Sequence, residues 1–556
     1  MSAESKANNK ISKAYLLINQ SSRLLAAIGY SRLPPNKTSV VPYIFAIVAA
    51  VGMLLPIVYL FIRGGSINES TITLLLRPQT LNTLFRTVVL TATVTISSVM
   101  IGVPLAWLLT RTDLPLRKMW IVLAFLPLAI PSYVAGFIVM TAIGPRGLLQ
   151  QLLSPIGVDR LPEIYGFPGA AITLTLLTYP YVFMTVRSAI TRLDPALEEA
   201  SSSLGKSPKE TFFQITLHLL RPAILSGALL VSLYTVSDFG AVSLMRYQTF
   251  TWSIYLQYEA GFNHQSAATL CIVLLLIAIP IVYIESRMRG HAKYFRSASG
   301  AARPLKPIRL GRWTFFATLF CSGLVFASLL IPASVLIYWL IRGVDAGNTL
   351  VPIWHTAWNS FYVSILAAAI IIGISFPIAS LTARQNTKLA RAIEQLSYLG
   401  FALPGIVIGL SLVFFGIRLV NPLYQTMFML ILAYSILFMA PAIGTLRASL
   451  QQINPHVEEA ARGLGASPFR TLLKITLPLT KPGLIAGFSL IFVLTIKELP
   501  ATLILSPIGF MTLAGSIWSA ASEAFFTRAA HASLILILLS SLPLAFATIR
   551  NSEDRW

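Results

Sequence analysis

Apolar residues fall in runs of about twenty along this chain, separated by short polar stretches, and such runs recur about twelve times. Roughly twenty apolar residues cross a hydrocarbon core of about 30 Å as a helix, and a helix satisfies its own backbone groups without water. The pattern predicts spans at 42-62, 84-110, 119-142, 169-186, 222-240 and 266-284, then at 313-341, 357-382, 395-417, 425-446, 482-500 and 529-549. Proline and glycine interrupt several of them, which membrane helices tolerate when neighbours re-satisfy the freed groups. The expected fold class is an all-α membrane protein with about twelve transmembrane helices.

The chain is also written twice. The segment LDPALEEASSSLGKSPKETFFQITLHLLRP, Leu193 to Pro222, returns as INPHVEEAARGLGASPFRTLLKITLPLTKP, Ile453 to Pro482, at a constant offset of 260 without gaps. Upstream the register continues at an offset of 273, pairing Pro104 with Pro377, Arg111 with Arg384 and Pro131 with Pro404. Two six-span units of the same orientation form a parallel repeat, which puts a translocation path at their interface. The expected organisation is a tail over 1-41, a first transmembrane domain over 42-285, a linker over 286-312, a second transmembrane domain over 313-549 and a tail over 550-556.

Each repeated segment lies between the fourth and fifth spans of its half, and its local grammar predicts two short helices around a sharp turn. Asp194 and Asn454 are N-cap residues followed by Pro at the first helical position. Gly205 and Gly465 supply the turn, since glycine takes the left-handed conformation at little cost. Ser207 and Ser467 restart a helix, and Ser207 with Glu210 makes a capping box.

Charge fixes the orientation. Of 42 Lys and Arg, the tails and inner loops hold 32, the outer loops hold nine and Lys497 lies within a span, if both termini are inside. This is the positive-inside pattern, so the net charge of +22 reports topology and calls for no nucleic-acid partner. Residues 286-312 carry eight Lys or Arg and no acid, as a cytoplasmic tether would. No apolar segment near the start is followed by a small-residue cleavage site, so no cleavable signal peptide is expected. Cys271 and Cys321 fall within spans without metal-ligand spacing, and no metal site or resident cofactor is expected. Six scattered His with neither H-E-x-x-H nor G-x-S-x-G give no catalytic constellation for a membrane enzyme.

The repeated loop resembles the signature of binding-protein-dependent ABC importer permeases: E-A-A, three residues, G, nine residues, I, one residue, L-P. Glu459, Ala460, Ala461, Gly465, Ile475, Leu477 and Pro478 match it throughout. The first copy, with Glu199, Ala200 and Gly205, departs at Ser201 and His218. The resemblance implies that each loop is a coupling helix seated in a cleft of a separate ATPase, with Glu199 and Glu459 as main contacts. The chain would then sit in a bacterial inner membrane, both termini cytoplasmic, among lipid, an ATPase dimer and an extracytoplasmic substrate-binding protein. The run Ala200 to Ser207, ASSSLGKS, looks like a phosphate-binding loop but is not one. It lacks the first Gly, Pro208 follows at once, and Lys206 becomes Ala466 in the second copy. ATP is therefore expected on the partner subunit.

Two acids lie in predicted spans, Asp238 and Glu498, and they are equivalent under the 260 offset. Asp238 stands sixteen residues beyond Pro222, about 24 Å along a helix and so toward the outer end of its span. An ionisable group in the bilayer usually faces the bundle interior, which makes the pair a candidate substrate path or gate. Helix-end residues, or partners of Lys497, would look the same in sequence. Ser237 to Tyr258 and Lys497 to Trp518 resemble the corresponding segments of fused ferric-iron ABC permeases, which implies ferric ion as cargo. Fused thiamine and phosphonate permeases share the architecture, and a twelve-span secondary transporter would share the span count.

Overall fold

The computed structural model describes residues 69–291 and 307–553, except 146, 159–160, 192, 194, 260–263, 348–351 and a scatter of positions between 385 and 402, together with isolated positions from 47 to 62. Most of the expected first span and of the linker, the N-terminal tail, the end of the C-terminal tail and the N-cap Asp194 therefore lie outside the described residues. Among those residues the chain is helical. Nine helical runs are long and apolar enough to cross a membrane, and Gln265–Ile281 and Gly405–Leu419 are shorter apolar helices. Together they meet every predicted span after the first.

The first half comprises α1 (Glu69–Leu76), α2 (Pro78–Arg111), α3 (Arg117–Phe125), α4 (Ser132–Ile143), α5 (Leu148–Leu153) and α6 (Phe167–Ile190). The repeated loop follows as α7 (Pro195–Ser203) and α8 (Pro208–Thr211), then α9 (Leu217–Ser237), α10 (Gly240–Leu244), α11 (Phe250–Glu259) and α12 (His264–His291). The second half repeats the plan as α13 (Trp313–Val325), α14 (Ile331–Asp345), α15 (Trp354–Arg384), α16 (Gly405–Leu419), α17 (Met427–Gln452), α18 (Pro455–Gly463) and α19 (Pro468–Thr471). It ends with α20 (Leu477–Ile496), α21 (Pro500–Leu505), α22 (Leu513–Ser522) and α23 (Phe526–Glu553).

The structure corrects the sequence reading at three places. The span predicted over 119-142 is two helices, α3 and α4, joined by a 3-10 turn over Leu126–Ala129. Pro127 and Pro131 each remove a backbone donor, and Pro131 becomes the N-cap of α4, as Pro404 does for α16. The fifth spans end at Ser237 and Ile496, short of the predicted edges, and two short helices follow each of them before the sixth span. Beyond those ends the register slips from 260 to 263, because α11 starts at Phe250 and α22 at Leu513. The Phe250 N–H is held by Thr87 Oγ1 and the Leu513 N–H by Ser360 Oγ. Thr87 and Ser360 are equivalent at the 273 offset, which makes Phe250 and Leu513 equivalent too.

In each half the second, fourth and fifth spans form the packed centre: α2, α6 and α9, and α15, α17 and α20. Close approach of these helices depends on small residues. A methyl group at Gly102 would lie 2.8 Å from Val182 Cβ, and one at Gly227 would lie 2.8 Å from Val182 Cα. The halves interlock as well. The first span of the second half reaches onto the first half, with α14 against α4, and α14 also meets α23, where Trp339 and Phe526 rings stand 4.9 Å apart. The end of the linker is tied to the first half: the Ile308 N–H donates to Arg111 O at 2.7 Å and the Leu310 N–H to Asp113 Oδ1 at 2.9 Å.

Candidate functional site: two repeated loops and the interface between the halves

Apart from the Asp194 cap, which lies outside the described residues, both loops fold as their local sequence predicts. The Asn454 side chain accepts the His456 N–H at 3.1 Å. Ser207 and Glu210 form the capping box, with Glu210 Oε2 accepting from the Ser207 N–H and hydroxyl at 2.8 Å each. These bonds to the ionised carboxylate hold Glu210 below the usual carboxylate range. Gly205 and Gly465 take φ of +79° and +87° with open space around them, so backbone conformation and not crowding demands glycine there. Lys206 donates to Gln214 Oε1 at 2.6 Å, which is a side-chain tether within the loop.

The double acid of each loop is divided between two tasks. Glu199 and Glu459, the residues singled out from sequence, are exposed, as are Ala200 and Ala460. Glu459 Oε2 lies 2.9 Å from His456 Nδ1. The preceding acids, Glu198 and Glu458, turn inward. Glu458 pairs with Arg384 Nη2 at 2.9 Å and accepts the Thr476 hydroxyl at 3.1 Å, while Arg384 Nη1 also donates to Ile453 O at 3.0 Å. In the first half Glu198 pairs with Arg111 and accepts the Thr216 hydroxyl at 2.9 Å. Sequence reasoning passed over this triad, although the signal existed: Arg111 and Arg384 matched at 273, and the acids and threonines at 260.

Each triad sits where the chain returns to the membrane through a single π-helical turn, Phe212–Thr216 and Leu472–Thr476. Such turns open the helix locally and mark sites under functional constraint. The two departures from the motif are mild. The Ser201 hydroxyl is buried against Thr211 Oγ1 at 2.9 Å, where Ala461 is buried in the other copy. His218, like Pro478, is exposed.

Two stretches that contain both loops, residues 98–287 and 375–551, match the family described as the binding-protein-dependent transport system inner membrane component. The chain belongs to that family. It is a multi-pass inner-membrane permease, and its relatives are transport permeases as well. It is 36% identical over 496 residues to the Fe(3+)-transport system permease protein FbpB 2 of Haemophilus influenzae, covering 88% of this chain and 94% of that one. The ferric transport system permease protein FbpB of Actinobacillus pleuropneumoniae is 25% identical across 80% of this chain and 67% of its own. The sulfate transport system permease protein CysW of Escherichia coli is 26% identical over 44% of this chain and 84% of its own.

The permease holds Asp238 and Glu498 at helix starts and not within spans. Asp238 Oδ2 accepts the N–H groups of Ala241 and Val242 at 3.0 and 3.3 Å, so it caps α10. Glu498 Oε1 accepts the Ala501 N–H at 3.2 Å and caps α21. Each acid also lies beside the start of a broken third span. A methyl at Gly240 would lie 2.7 Å from Ser132 Oγ, and one at Gly405 would overlap the Glu498 carboxylate. Negative charge is favourable at helix N-termini, so each carboxylate is matched by the backbone it holds. Lys497, next to Glu498, reaches the other half and donates to Leu128 O at 2.7 Å.

Beyond the ends of the fifth spans, aromatic rings close the interface between the halves. Phe239 stands 5.0 Å from Tyr255 and 5.9 Å from Trp518, and Trp252 stacks on Tyr255 at 5.8 Å. Tyr255 and Trp518, equivalent at the 263 offset, meet edge to face at 5.6 Å, and Trp518 Nε1 donates to Ser243 Oγ at 3.4 Å.

Proposed function

We propose that this chain is the permease of an ATP-driven importer of ferric iron. An extracytoplasmic binding protein delivers the ion, and a separate ATPase dimer docks on the two cytoplasmic loops. The cargo rests on one observation, 36% identity across nearly the whole chain to a permease named for Fe(3+) transport. The docking rests on the geometry of the loops: Glu199, Ala200 and Gly205, with Glu459, Ala460 and Gly465, present the same exposed face twice.

The domains run over 42-285 and 313-549, joined by the basic linker 286-312, with both termini in the cytoplasm as the excess of Lys and Arg on that side requires. This chain carries no resident cofactor, and ATP is used by the partner. Closure of the ATPase dimer draws the two loops together and switches the path between outward-open and inward-open states. Asp238 and Glu498 lie beside the path, where they cap the short helices α10 and α21.

A second reading, an oxyanion importer, is favoured by Lys497, whose ammonium lies at the interface, and by the sulfate-permease relative. Uptake of radiolabelled ferric iron by cells lacking the gene and by cells with it restored separates the two readings. Thiamine, phosphonate, sulfate and molybdate serve as competitors. Loss on deletion, rescue by the gene and indifference to all four competitors support iron. Unchanged iron uptake in a strain without other iron importers overturns it.

A further inference from the structure

In each half one long helix touches both the cytoplasmic loop and the outer closure. At the inner end of α2, Arg111 pairs with Glu198 of the loop, and at the inner end of α15, Arg384 pairs with Glu458. At the outer ends, Thr87 Oγ1 accepts the first N–H of α11 at 3.2 Å and Ser360 Oγ accepts the first N–H of α22 at 2.6 Å. A second bond doubles each outer joint: the Tyr247 hydroxyl donates to Arg86 O at 3.3 Å, and Asn359 Nδ2 donates to Met511 O at 3.1 Å. The two joints are twenty-four residues apart in both halves, 87 to 111 and 360 to 384. That is about 36 Å of helix, longer than a hydrocarbon core of about 30 Å, so one joint lies at each face of the membrane. The helices held at the outer joints, α11 and α22, carry Tyr255 and Trp518, the pair that meets between the halves.

We infer that α2 and α15 are connecting rods that carry displacement of the cytoplasmic loops to the outer aromatic closure. Thr87 and Ser360 are then positioning residues for the gate formed by Tyr255 and Trp518. The inference rests on the reading of the loops as docking sites for an ATPase. Each loop is also continuous with its fourth and fifth spans, so a displaced loop has a covalent route into the bundle. Among the described residues, only the second span carries both the ion pair to the loop and the side-chain bond to the gate helix. The appearance of the arrangement in both halves, across two different sequence offsets, is what a shared mechanical role requires. An element biased at both ends is the physical basis for coupling between distant sites.

The test uses the full complex of permease, ATPase and binding protein in proteoliposomes. Tyr255→Cys and Trp518→Cys are introduced with Cys271→Ala and Cys321→Ala, and a short bifunctional thiol reagent reports the closure. Cross-linking is expected to be fast at rest and slower by about tenfold or more with ATP and vanadate. Adding Thr87→Val and Ser360→Ala leaves both loops intact. It is expected to keep ATP hydrolysis within about twofold of the parent while cross-linking stays fast under vanadate. Thr87→Ser with Ser360→Thr keeps both hydroxyls and should restore the parent response, which separates the joint from a general loss of folding. Slow cross-linking under vanadate in the Val/Ala variant overturns the rods. So does a parent pair that never cross-links or never responds to nucleotide. The assay needs no cargo, so a complex that gates normally but does not import ferric iron refutes the cargo and leaves the rods standing.

Discussion

Leu204 and Leu464 occupy the same place at the elbows of the two repeated loops, and both project outward, 81% and 90% exposed. Each directly precedes the glycine of the turn. A leucine held so far from its own protein, just past a short helix ordered by an ion pair, is placed to be buried by something else. Glu199 and Glu459 lie on the same loops and are exposed as well. The loop therefore offers an apolar tip beside a charge, an exposed apolar group rimmed by polar ones.

Replacing Leu464 with Ser should leave the thermal stability of the isolated permease unchanged, because the side chain has no intramolecular packing to lose. Burial of a leucine is worth about 1.5–3 kcal/mol, so affinity for the ATPase should fall by about tenfold or more. Titration of ATPase onto permease in nanodiscs measures this. Wild-type affinity would show that the elbow makes no contact.

The turn makes a different demand. Gly465→Val should insert and fold yet lose ATP-dependent uptake, since a β-branched residue at φ +87° costs about 1–2 kcal/mol or more and displaces the elbow. Gly465→Asn should retain most activity, because Asn tolerates the left-handed region. Equal uptake by the Val and Asn variants would mean that the turn geometry does not matter.

The two acids of the second loop should separate by assay. Glu458→Ala leaves Arg384 without its carboxylate partner, and with side chains only 19% and 14% exposed the loss should be about 1–3 kcal/mol once residual solvent is allowed for. Faster proteolysis within Pro455–Thr471 would report it. Glu459→Gln should leave that cleavage unchanged and weaken assembly with the ATPase.

For the acids at the interface, the amide variants are the informative ones. Asp238→Asn keeps an oxygen to accept from Ala241 and Val242 and should stay within about 1 kcal/mol of wild type, whereas Asp238→Ala removes the cap at a cost of about 0.5–2 kcal/mol. Thermal unfolding in detergent resolves this order. Should the Asn variant fold normally but lose uptake, the charge itself would serve transport.

Acid should open the capping box of the first loop, which the second loop does not have. The Glu210 carboxylate is held below its ordinary value, so the stability it lends α8 is present above the unfolded carboxylate pKa and is lost as pH falls through the lower folded value. The second copy has Arg470 at that position. Hydrogen exchange at the Glu210 amide should accelerate below the usual carboxylate range, with no matching change at Arg470.

Much of this architecture is legible without a structure because it is local. Apolar runs of the right length mark eleven of the twelve predicted spans in the described residues, and the copied loop shows its caps and turn in residue type alone. Pro131 and Pro404 were visible as a repeated pair, but proline inside an apolar run is compatible with a kink, a break or a simple helix start. Only the packing of α4 and α16 shows that it starts a helix here.

What sequence determined by itself is the two-fold writing of the chain and the caps and turn of its repeated loops, since duplication and residue type need no knowledge of which surfaces meet. The tertiary structure decided the rest. It turned Glu458 inward and left Glu459 outward, although both belong to one acidic pair, because only one helix face can reach Arg384. It moved the register by three residues after the fifth span, where Thr87 and Ser360 choose which N–H to accept. It also brought Tyr255 to Trp518, a contact between residues 263 positions apart that depends on how two halves pack across an interface.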